Sequence, residues 1–358
     1  MTQKKKRKKI KRTPFWIKVI ISLFLIVIIS GGIAAYRLYH AIYQPNIFLG
    51  ERRTTHIFIP TGSNFNDVKA ILYENGMIIN TNTFEWLAEK KNYKNLVKPG
   101  RYLIHEDMGN NELINLLRSG NQDPVRLTFN NIRTKEELAG SIARQIEADS
   151  VSIIRLFKNT EFLSKYNLTS ETAKLLFIPN TYEFFWNTSA EQLFERMNRE
   201  FNSFWNEERL RKAQNINLSP LEVGTLASIV QSETSRPGEF SKVAGVYINR
   251  LNRNMPLQAD PTVIFAVGDF SIRRVLNRHL EIDSPYNTYK YAGLPPGPIN
   301  LPEMRVLDGV LNYQKHEYLF FCARDDFSGY HAFARTYSQH LANARRYQNA
   351  LNQRRIMR

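Results

Sequence analysis

The strongest constraint on this chain is an apolar run near its start that is too long for an ordinary buried helix. The run extends from about Phe15 to Tyr36, and Ser22 is the only polar residue between Val19 and Ile29. About 20 apolar residues match the hydrocarbon thickness of a bilayer. We therefore expect a transmembrane helix over residues 15–37, with the rest of the chain folding outside the lipid.

Positive charge lies directly before this run. Eight lysine and arginine residues fall between Lys4 and Arg12, and the formal net charge of the chain is +16. Basic residues beside an apolar span favour the cytoplasmic side. We expect a cytoplasmic tail over residues 1–14, a single pass through the cell inner membrane and a periplasmic or otherwise extracytoplasmic remainder. This placement accounts for the charge without a nucleic-acid partner.

A cleaved signal peptide is the alternative explanation of the apolar run. Its apolar core is normally shorter and is followed by a small-residue cleavage site, which Ala34 and Ala35 match poorly. An uncleaved anchor is therefore favoured.

The numbers and spacing of the cysteine, histidine and glycine residues exclude several classes of site. Cys322 is the only cysteine, so no intrachain disulfide can form. The sequence has no cysteine–histidine spacing typical of a metal site and no glycine-rich phosphate loop. We expect neither a metal nor a cofactor. The histidines are scattered and do not support nucleophilic histidine chemistry.

Beyond a linker over residues 38–52, the pattern predicts an α+β module over residues 53–124. Its expected strands and helices are Ile57–Ile59, Phe65–Glu74, Thr83–Lys91, Arg101–Ile104 and Asn111–Arg118. Residues 125–205 form a second strand–helix region, with a strand at Val125–Phe129 and a helix at Thr134–Glu147. Residues 206–358 are predicted to end in a hairpin, Tyr318–Ala323 with His331–Ala334, and a final helix at Ser338–Gln353.

One helix in the last region places an acid on its apolar face. Ser219 and Glu222 form a capping box that begins this helix. The following steps of three and four residues keep Glu233 on the same face as Val223, Leu226 and Val230. Desolvation and the helix dipole would raise the pKa of a carboxyl there, as a general acid requires. The alternative is a terminal glutamate that turns outward to solvent.

Polar and aromatic residues cluster in three segments that follow this helix. They are Gln258–Thr262, Ser284–Tyr289 and Gly293–Ile299. Amides, hydroxyls and aromatic rings of this kind bind sugars. Each segment also has a plainer explanation: Asp260 can cap a helix, Asn287 and Tyr289 can form a turn, and the proline–glycine run can be a stiff connector.

Five motifs in order carry a resemblance to a known family. The chain resembles the MltG/YceG-like endolytic murein transglycosylases in five segments. They are Ser228–Thr234, Val243–Leu251 with its Asn-Arg-Leu, Gln258–Thr262, Tyr286–Tyr289 and Gly293–Ile299. The resemblance implies a single transmembrane helix, a LysM-like α+β module and an α+β YceG-like catalytic domain. Ile57–Gly62 and Arg101–Ile104 are similar to the LysM-like part.

The resemblance also implies an activity. A lyase of this family cleaves the MurNAc–GlcNAc linkage of nascent peptidoglycan strands, leaves 1,6-anhydroMurNAc ends and can terminate strand elongation. Two departures stand out. Where members commonly carry two glutamates this chain has Gln231 and Glu233, and Asn180 replaces an aspartate in Pro179–Tyr182. Glu233 is therefore the expected catalytic acid.

The remaining expectations concern binding and the rival functions. Our candidates for holding the substrate are Gln231, Gln258, Asp260, Thr262, Tyr286, Asn287, Thr288 and Tyr289. Peptidoglycan synthases are possible partners. The first rival is a non-catalytic peptidoglycan-binding scaffold for those synthases. The second is a hydrolase that pairs Glu233 with Asp260, Glu239 or Asp283, since hydrolysing glycosidases usually use two carboxylates.

Overall fold

A computed structural model describes residues 14–130 and 132–354. Residues 1–13 of the expected basic tail and the last four residues lie outside the described part. The fold is mixed α+β, and the chain divides into two compact units, with the boundary between Asp123 and Pro124.

The N-terminal unit combines a two-stranded antiparallel sheet with four helices: α1 (Phe15–Tyr43), β1 (Thr54–Ile59), α2 (Phe65–Glu74), α3 (Thr81–Lys90), β2 (Gly100–His105) and α4 (Asn110–Ser119). Ile57 pairs with Tyr102 in the sheet, and both side chains are buried. Asn64 and Asp67 form a capping box at the start of α2. The sheet and α2–α4 thus enclose one hydrophobic core.

The apolar run forms α1, a helix of 29 residues with no buried side chains. At 1.5 Å per residue it is about 43 Å long, which is enough to cross a membrane. It ends at Tyr43, beyond the expected end at residue 37, because its last turns pack on α3 and α4. The side chain of Asn110 donates a hydrogen bond to the carbonyl of Ala41 at 2.9 Å.

The segment expected as a linker, residues 38–52, is part of this folded unit. Ile47 forms an isolated β-bridge with Ile78, and Pro45 forms another with Gly109. Gly109 lies so close to the helix end that a Cβ atom there would be 2.7 Å from the carbonyl oxygen of Tyr43. The chain therefore contacts the rest of the N-terminal unit directly after α1 ends.

The first part of the C-terminal unit contains β3 (Val125–Phe129), α5 (Lys135–Ala143), α6 (Ser150–Lys158), α7 (Thr160–Ser164), β4 (Asn180–Phe184) and α8 (Ala190–Phe204). β3 and β4 pair antiparallel, so Asn180 lies in a strand opposite Phe129. α5 is shorter than the expected helix at Thr134–Glu147, because the backbone of Glu147 turns to pair with Trp186. These elements surround one hydrophobic cluster.

The second part contains α9 (Glu207–Asn215), α10 (Pro220–Glu233), α11 (Phe240–Asn252), α12 (Asp260–Val267), α13 (Asn277–Leu280), α14 (Met304–Leu311), β5 (Phe320–Ala323), β6 (His331–Ala334) and α15 (Tyr337–Gln353). The buried faces of α10, α11 and α14 form its hydrophobic cluster. The predicted β5–β6 hairpin is confirmed as an antiparallel pair.

The loop before α14 is fastened to α10. The backbone N–H of Ile299 donates to the hydroxyl of Ser228 at 3.0 Å, and the side chain of Asn300 donates to the Ser228 carbonyl at 3.0 Å. Gly297 is required here, since a Cβ atom would lie 2.4 Å from the carbonyl oxygen of Glu171. The proline–glycine run is thus packed against α10 at Ser228 and against the backbone at Glu171.

Candidate active site

Glu233 is the last residue of α10, and the predicted capping box of Ser219 and Glu222 begins that helix. The helix is buried along Val223–Val230, so its C-terminal turn emerges from the core. Glu233 is half-buried there. Its Oε1 accepts a hydrogen bond of 2.9 Å from the hydroxyl of Tyr247 on α11. The carboxyl is therefore held by the protein, in a residue that is partly exposed as a whole.

The electrostatic surroundings of Glu233 favour the neutral acid. Burial is the largest influence and raises the pKa of Glu233 to about 7 from its ordinary value of 4.5. The negative charge of Asp260 acts in the same direction, whereas the hydroxyl of Tyr247 and the cation of Arg250 oppose it. A carboxyl with a pKa near neutrality can both give and take a proton at physiological pH.

Arg250 is the buried cation of the site. Its Nε donates to the carbonyl of Leu319 at 2.7 Å, and its Nη1 donates to the carbonyl of Leu257 at 2.9 Å and to Oε1 of Gln258 at 3.3 Å. Among the described residues no carboxylate forms a salt bridge with it. Arg250 therefore contributes positive charge near Glu233 while it joins α11 to the loop before α12 and to β5.

Asp260 and Tyr289 form a second polar pair near Glu233. The hydroxyl of Tyr289 donates to Oδ1 of Asp260 at 2.6 Å. Asp260 is the first residue of α12 and follows its N-cap residue, Ala259, so it lies in the first turn of the helix. Gln258 is exposed beside this pair and has a positive φ of 49°, an uncommon value for a residue with a side chain. All three side chains can reach a ligand.

Three other predicted binding residues are turned into the interior. Asn287 is fully buried, and its amide donates to the carbonyls of Leu280 and Ile282. The hydroxyls of Thr262 and Thr288 lie 2.8 Å apart in a buried contact. In this structure these side chains shape the loop that carries Tyr289 and do not offer groups to a sugar.

Gln231 and Tyr286 also make internal contacts. The amide of Gln231 donates to the carbonyl of Leu301 at 3.1 Å and accepts the backbone N–H of Glu303 at 2.7 Å. Gln231 therefore joins α10 to the start of α14. The ring of Tyr286 packs on Phe265 with a centroid distance of 4.8 Å. Direct sugar contact by either residue stays a prediction.

The carboxylates considered for a two-acid mechanism have other partners. Glu239 is buried and accepts hydrogen bonds from the backbone and ring of His331 and from Thr234. Asp283 accepts the hydroxyl of Tyr291 at 2.6 Å. Within residues 14–130 and 132–354 no cluster of three histidine, cysteine or acidic side chains could hold a metal ion.

Tyr247 is the contact that sequence reasoning missed. It lies on the buried face of α11, and helical spacing alone does not tell a packing ring from a hydroxyl aimed at an acid. Arg250 was noted only as part of the Asn-Arg-Leu motif. Its buried charge depends on carbonyls of residues 256, 257 and 319, which the fold brings together.

The sequence is similar to a known family and to named proteins. The YceG-like family model matches residues 57–346. The endolytic murein transglycosylase of Bacillus subtilis is 29% identical over 320 residues, covering 85% of this chain and 87% of that protein. The protein of the same name from Streptococcus pneumoniae is 27% identical over 336 residues, covering 84% of this chain and 60% of that protein.

A solved structure shows the same fold. The crystal structure of a yceG-like protein from Listeria monocytogenes gives a TM-score of 0.54 at 27% identity, covering 82% of this chain and 99% of that one. The resemblance predicted from the five motifs is confirmed, because the family model spans most of the sequence. The chain belongs to the YceG-like family.

Proposed function

We propose that this chain is an endolytic murein transglycosylase, a lyase that cleaves the MurNAc–GlcNAc linkage within peptidoglycan glycan strands. Its relatives from Bacillus subtilis and Streptococcus pneumoniae carry this name. The observation that carries the proposal is the half-buried carboxyl of Glu233, whose pKa is raised to about 7 and whose Oε1 is held by Tyr247. We propose Glu233 as the catalytic residue.

One carboxyl suffices for this reaction. Neutral Glu233 donates its proton to the oxygen that bridges C1 of MurNAc and GlcNAc, and the C1–O bond breaks. The resulting carboxylate then takes the proton of the MurNAc C6 hydroxyl as that oxygen bonds to C1. The product ends in 1,6-anhydroMurNAc, Glu233 is neutral again and no water is consumed. A pKa near 7 suits both steps, because the same group acts as acid and then as base.

The exposed polar groups around Glu233 are the candidates for holding the sugar. Gln258, Asp260 and Tyr289 lie at the surface of the site and can bind hydroxyl or acetamido groups. Residues 262, 287 and 288 support the loop beneath them. This division is supported by burial: sugar-binding side chains must reach solvent, and the supporting ones are at most 1% exposed.

The organisation of the chain follows from the same function. We propose that α1 anchors the protein with its N-terminus in the cytoplasm and with the chain after α1 outside, where peptidoglycan lies. Two separate hydrophobic clusters in the C-terminal unit support a joining region over residues 125–205 and a catalytic region from residue 206. The LysM-like nature of residues 53–124 and an association with peptidoglycan synthases stay predictions.

The decisive experiment replaces the acid. Glu233→Gln should lower the cleavage rate of purified uncrosslinked glycan strands by at least about 10²-fold, because general acid–base catalysis contributes that much or more. Glu222→Gln on the same helix is the matched control, since glutamine preserves the capping box. Near-normal turnover by a folded Glu233→Gln protein would refute the assignment.

Product ends separate the rival functions. Mass spectrometry should find anhydroMurNAc ends, whereas a two-carboxylate hydrolase gives reducing ends that are heavier by one water. A binding scaffold would release no fragments from murein at all. Either result would overturn the proposed reaction.

A further inference from the structure

The hydrogen bond between Tyr247 and Glu233 carries an inference about which oxygen of the acid does the chemistry. Tyr247 is 2% exposed on the buried face of α11. Its ring packs edge-on against Phe321 of β5, with centroids 5.9 Å apart and an interplanar angle of 88°. The ring is thus fixed by packing, and the position of the hydroxyl is fixed with it.

This hydroxyl donates a single hydrogen bond. Its oxygen lies 2.9 Å from Oε1 of Glu233, and no other acceptor within the described part of the chain forms a hydrogen bond with it. A buried hydroxyl that lost this acceptor would leave its donor unsatisfied at a substantial cost in free energy. The tyrosine therefore donates to Oε1 whether Glu233 is ionised or neutral.

We infer that Tyr247 is a positioning residue. Because its hydroxyl donates a hydrogen bond to Oε1 of Glu233, the transferable proton of the acid resides on Oε2. Resting on the proposed function, Oε2 is then the atom that protonates the bridging oxygen and later accepts the C6 hydroxyl proton. Oε1 stays bound to Tyr247 throughout the cycle. The carboxyl is thereby presented in one orientation rather than two.

The state of the tyrosine supports this assignment. Burial, followed by the charge of Glu233, raises the pKa of Tyr247 well above its ordinary value. The phenol therefore remains a donor throughout the pH range in which Glu233 titrates. A hydrogen bond to the ionised carboxylate also lowers the pKa of Glu233, so that burial does not keep the acid protonated too far above neutral pH.

Tyr247→Phe tests the inference because it keeps the ring and removes only the hydroxyl. We expect kcat to fall about fivefold below pH 6 with little change in KM, since the acid loses its orientation. We also expect the alkaline limb of the pH–rate profile to move upward by about one pH unit. Tyr102→Phe is the control, because that buried hydroxyl donates to the backbone carbonyl of Lys98.

A second readout does not depend on activity. Glutamate labelled with ¹³C at its carboxyl carbon reports the titration of Glu233 in the full chain in detergent, and Glu233→Gln assigns the signal. The midpoint should rise in Tyr247→Phe and stay unchanged in Tyr102→Phe. An unchanged or lower midpoint in Tyr247→Phe would overturn the inference. If the wild-type chain cleaved no glycan, the proposed function would fail while this titration still decided the role of Tyr247.

Discussion

At the scale of single residues, the site is a balance of influences on one carboxyl. Burial and Asp260 favour neutral Glu233, whereas Tyr247 and Arg250 favour the ionised form. Neither extreme would serve the proposed reaction, because a permanently neutral acid cannot accept a proton and a permanently ionised one cannot donate it. Substitutions of the surrounding groups should therefore shift the pH dependence of activity in directions that their charges determine.

Asp260→Asn should shift that dependence downward. Removing the negative charge lowers the pKa of Glu233, since like charges oppose ionisation. Activity that requires the neutral acid falls as pH rises through this pKa, so the alkaline limb should move to lower pH by about half a unit to one unit. This shift is opposite in sign to the one expected for Tyr247→Phe, and pH–rate profiles measure both.

The Asp260 experiment also addresses the hydrolase alternative. Asparagine can still accept the hydroxyl of Tyr289, so the contact with the neighbouring loop is kept. If Asp260 were the second catalytic carboxylate, the variant would lose activity at every pH. A moved limb with retained maximal activity supports the electrostatic role, and anhydro product ends should persist.

The raised pKa of Glu233 also has a consequence for stability. Between its ordinary value of 4.5 and about 7 the folded chain binds more protons than the unfolded chain, so the free energy of unfolding falls as pH rises through this range. Glutamine does not titrate. Between pH 4 and pH 8 the free energy of unfolding of Glu233→Gln should therefore rise by about 1–3 kcal/mol relative to that of the wild type. The gain is smaller than a fully buried carboxyl would give.

Unfolding curves at several pH values check this expectation. The difference between variant and wild type should be small at pH 4 and should grow until about pH 8. Glu222→Gln, which removes an exposed carboxylate from the first turn of the same helix, provides the reference. A difference that did not vary with pH would show that Glu233 has an unperturbed pKa in the folded chain.

At the scale of elements, α11 joins the parts of the site. Tyr247 reaches Glu233 on α10, and Arg250 reaches the carbonyls of Leu257 before α12 and Leu319 before β5. The two side chains lie three residues apart on one helix face. One helix therefore sets the positions of the acid, of the loop bearing Gln258 and of the hairpin.

Arg250→Lys should disturb this arrangement despite keeping the charge. A lysine ammonium cannot reproduce the planar set of donors that the guanidinium directs at four acceptors. We expect a loss of about 2–3 kcal/mol in the free energy of unfolding from buried carbonyls left without donors. Denaturant unfolding of the detergent-solubilised chain measures it. Arg253→Lys, an exposed change just past the same helix, should cost under about 0.5 kcal/mol.

At this scale, the features that the sequence predicts are those determined by residues close together in the chain. The capping box of α10 is set by neighbouring residues, and its prediction is confirmed. The pairing of β3 with β4 joins segments about 50 residues apart, which spacing within a segment cannot reveal. The burial of Asn287 could not be predicted from the sequence either. Its hydrogen-bond partners are backbone carbonyls in a loop, and a loop has no periodic pattern.

At the scale of the whole molecule, the apolar helix α1 is joined directly to the rest of the N-terminal unit. The chain leaves α1 at Tyr43 and is bonded to the N-terminal unit within a few residues, through Asn46 and Ile47. The rest of that unit therefore begins directly where the apolar helix ends. If α1 spans the membrane, this unit must lie at the membrane surface on the side where Tyr43 emerges.

The side on which the folded units lie can be measured with introduced cysteines. Cys322→Ala removes the only native cysteine, and Ser203→Cys adds an exposed one on α8. A membrane-impermeant maleimide should label Ser203→Cys in intact spheroplasts, because basic residues before α1 favour an N-terminus in the cytoplasm. Thr13→Cys in the same background should be labelled only after permeabilisation. The reverse pattern would place Glu233 in the cytoplasm, away from peptidoglycan, and would contradict the proposed function as well as the orientation.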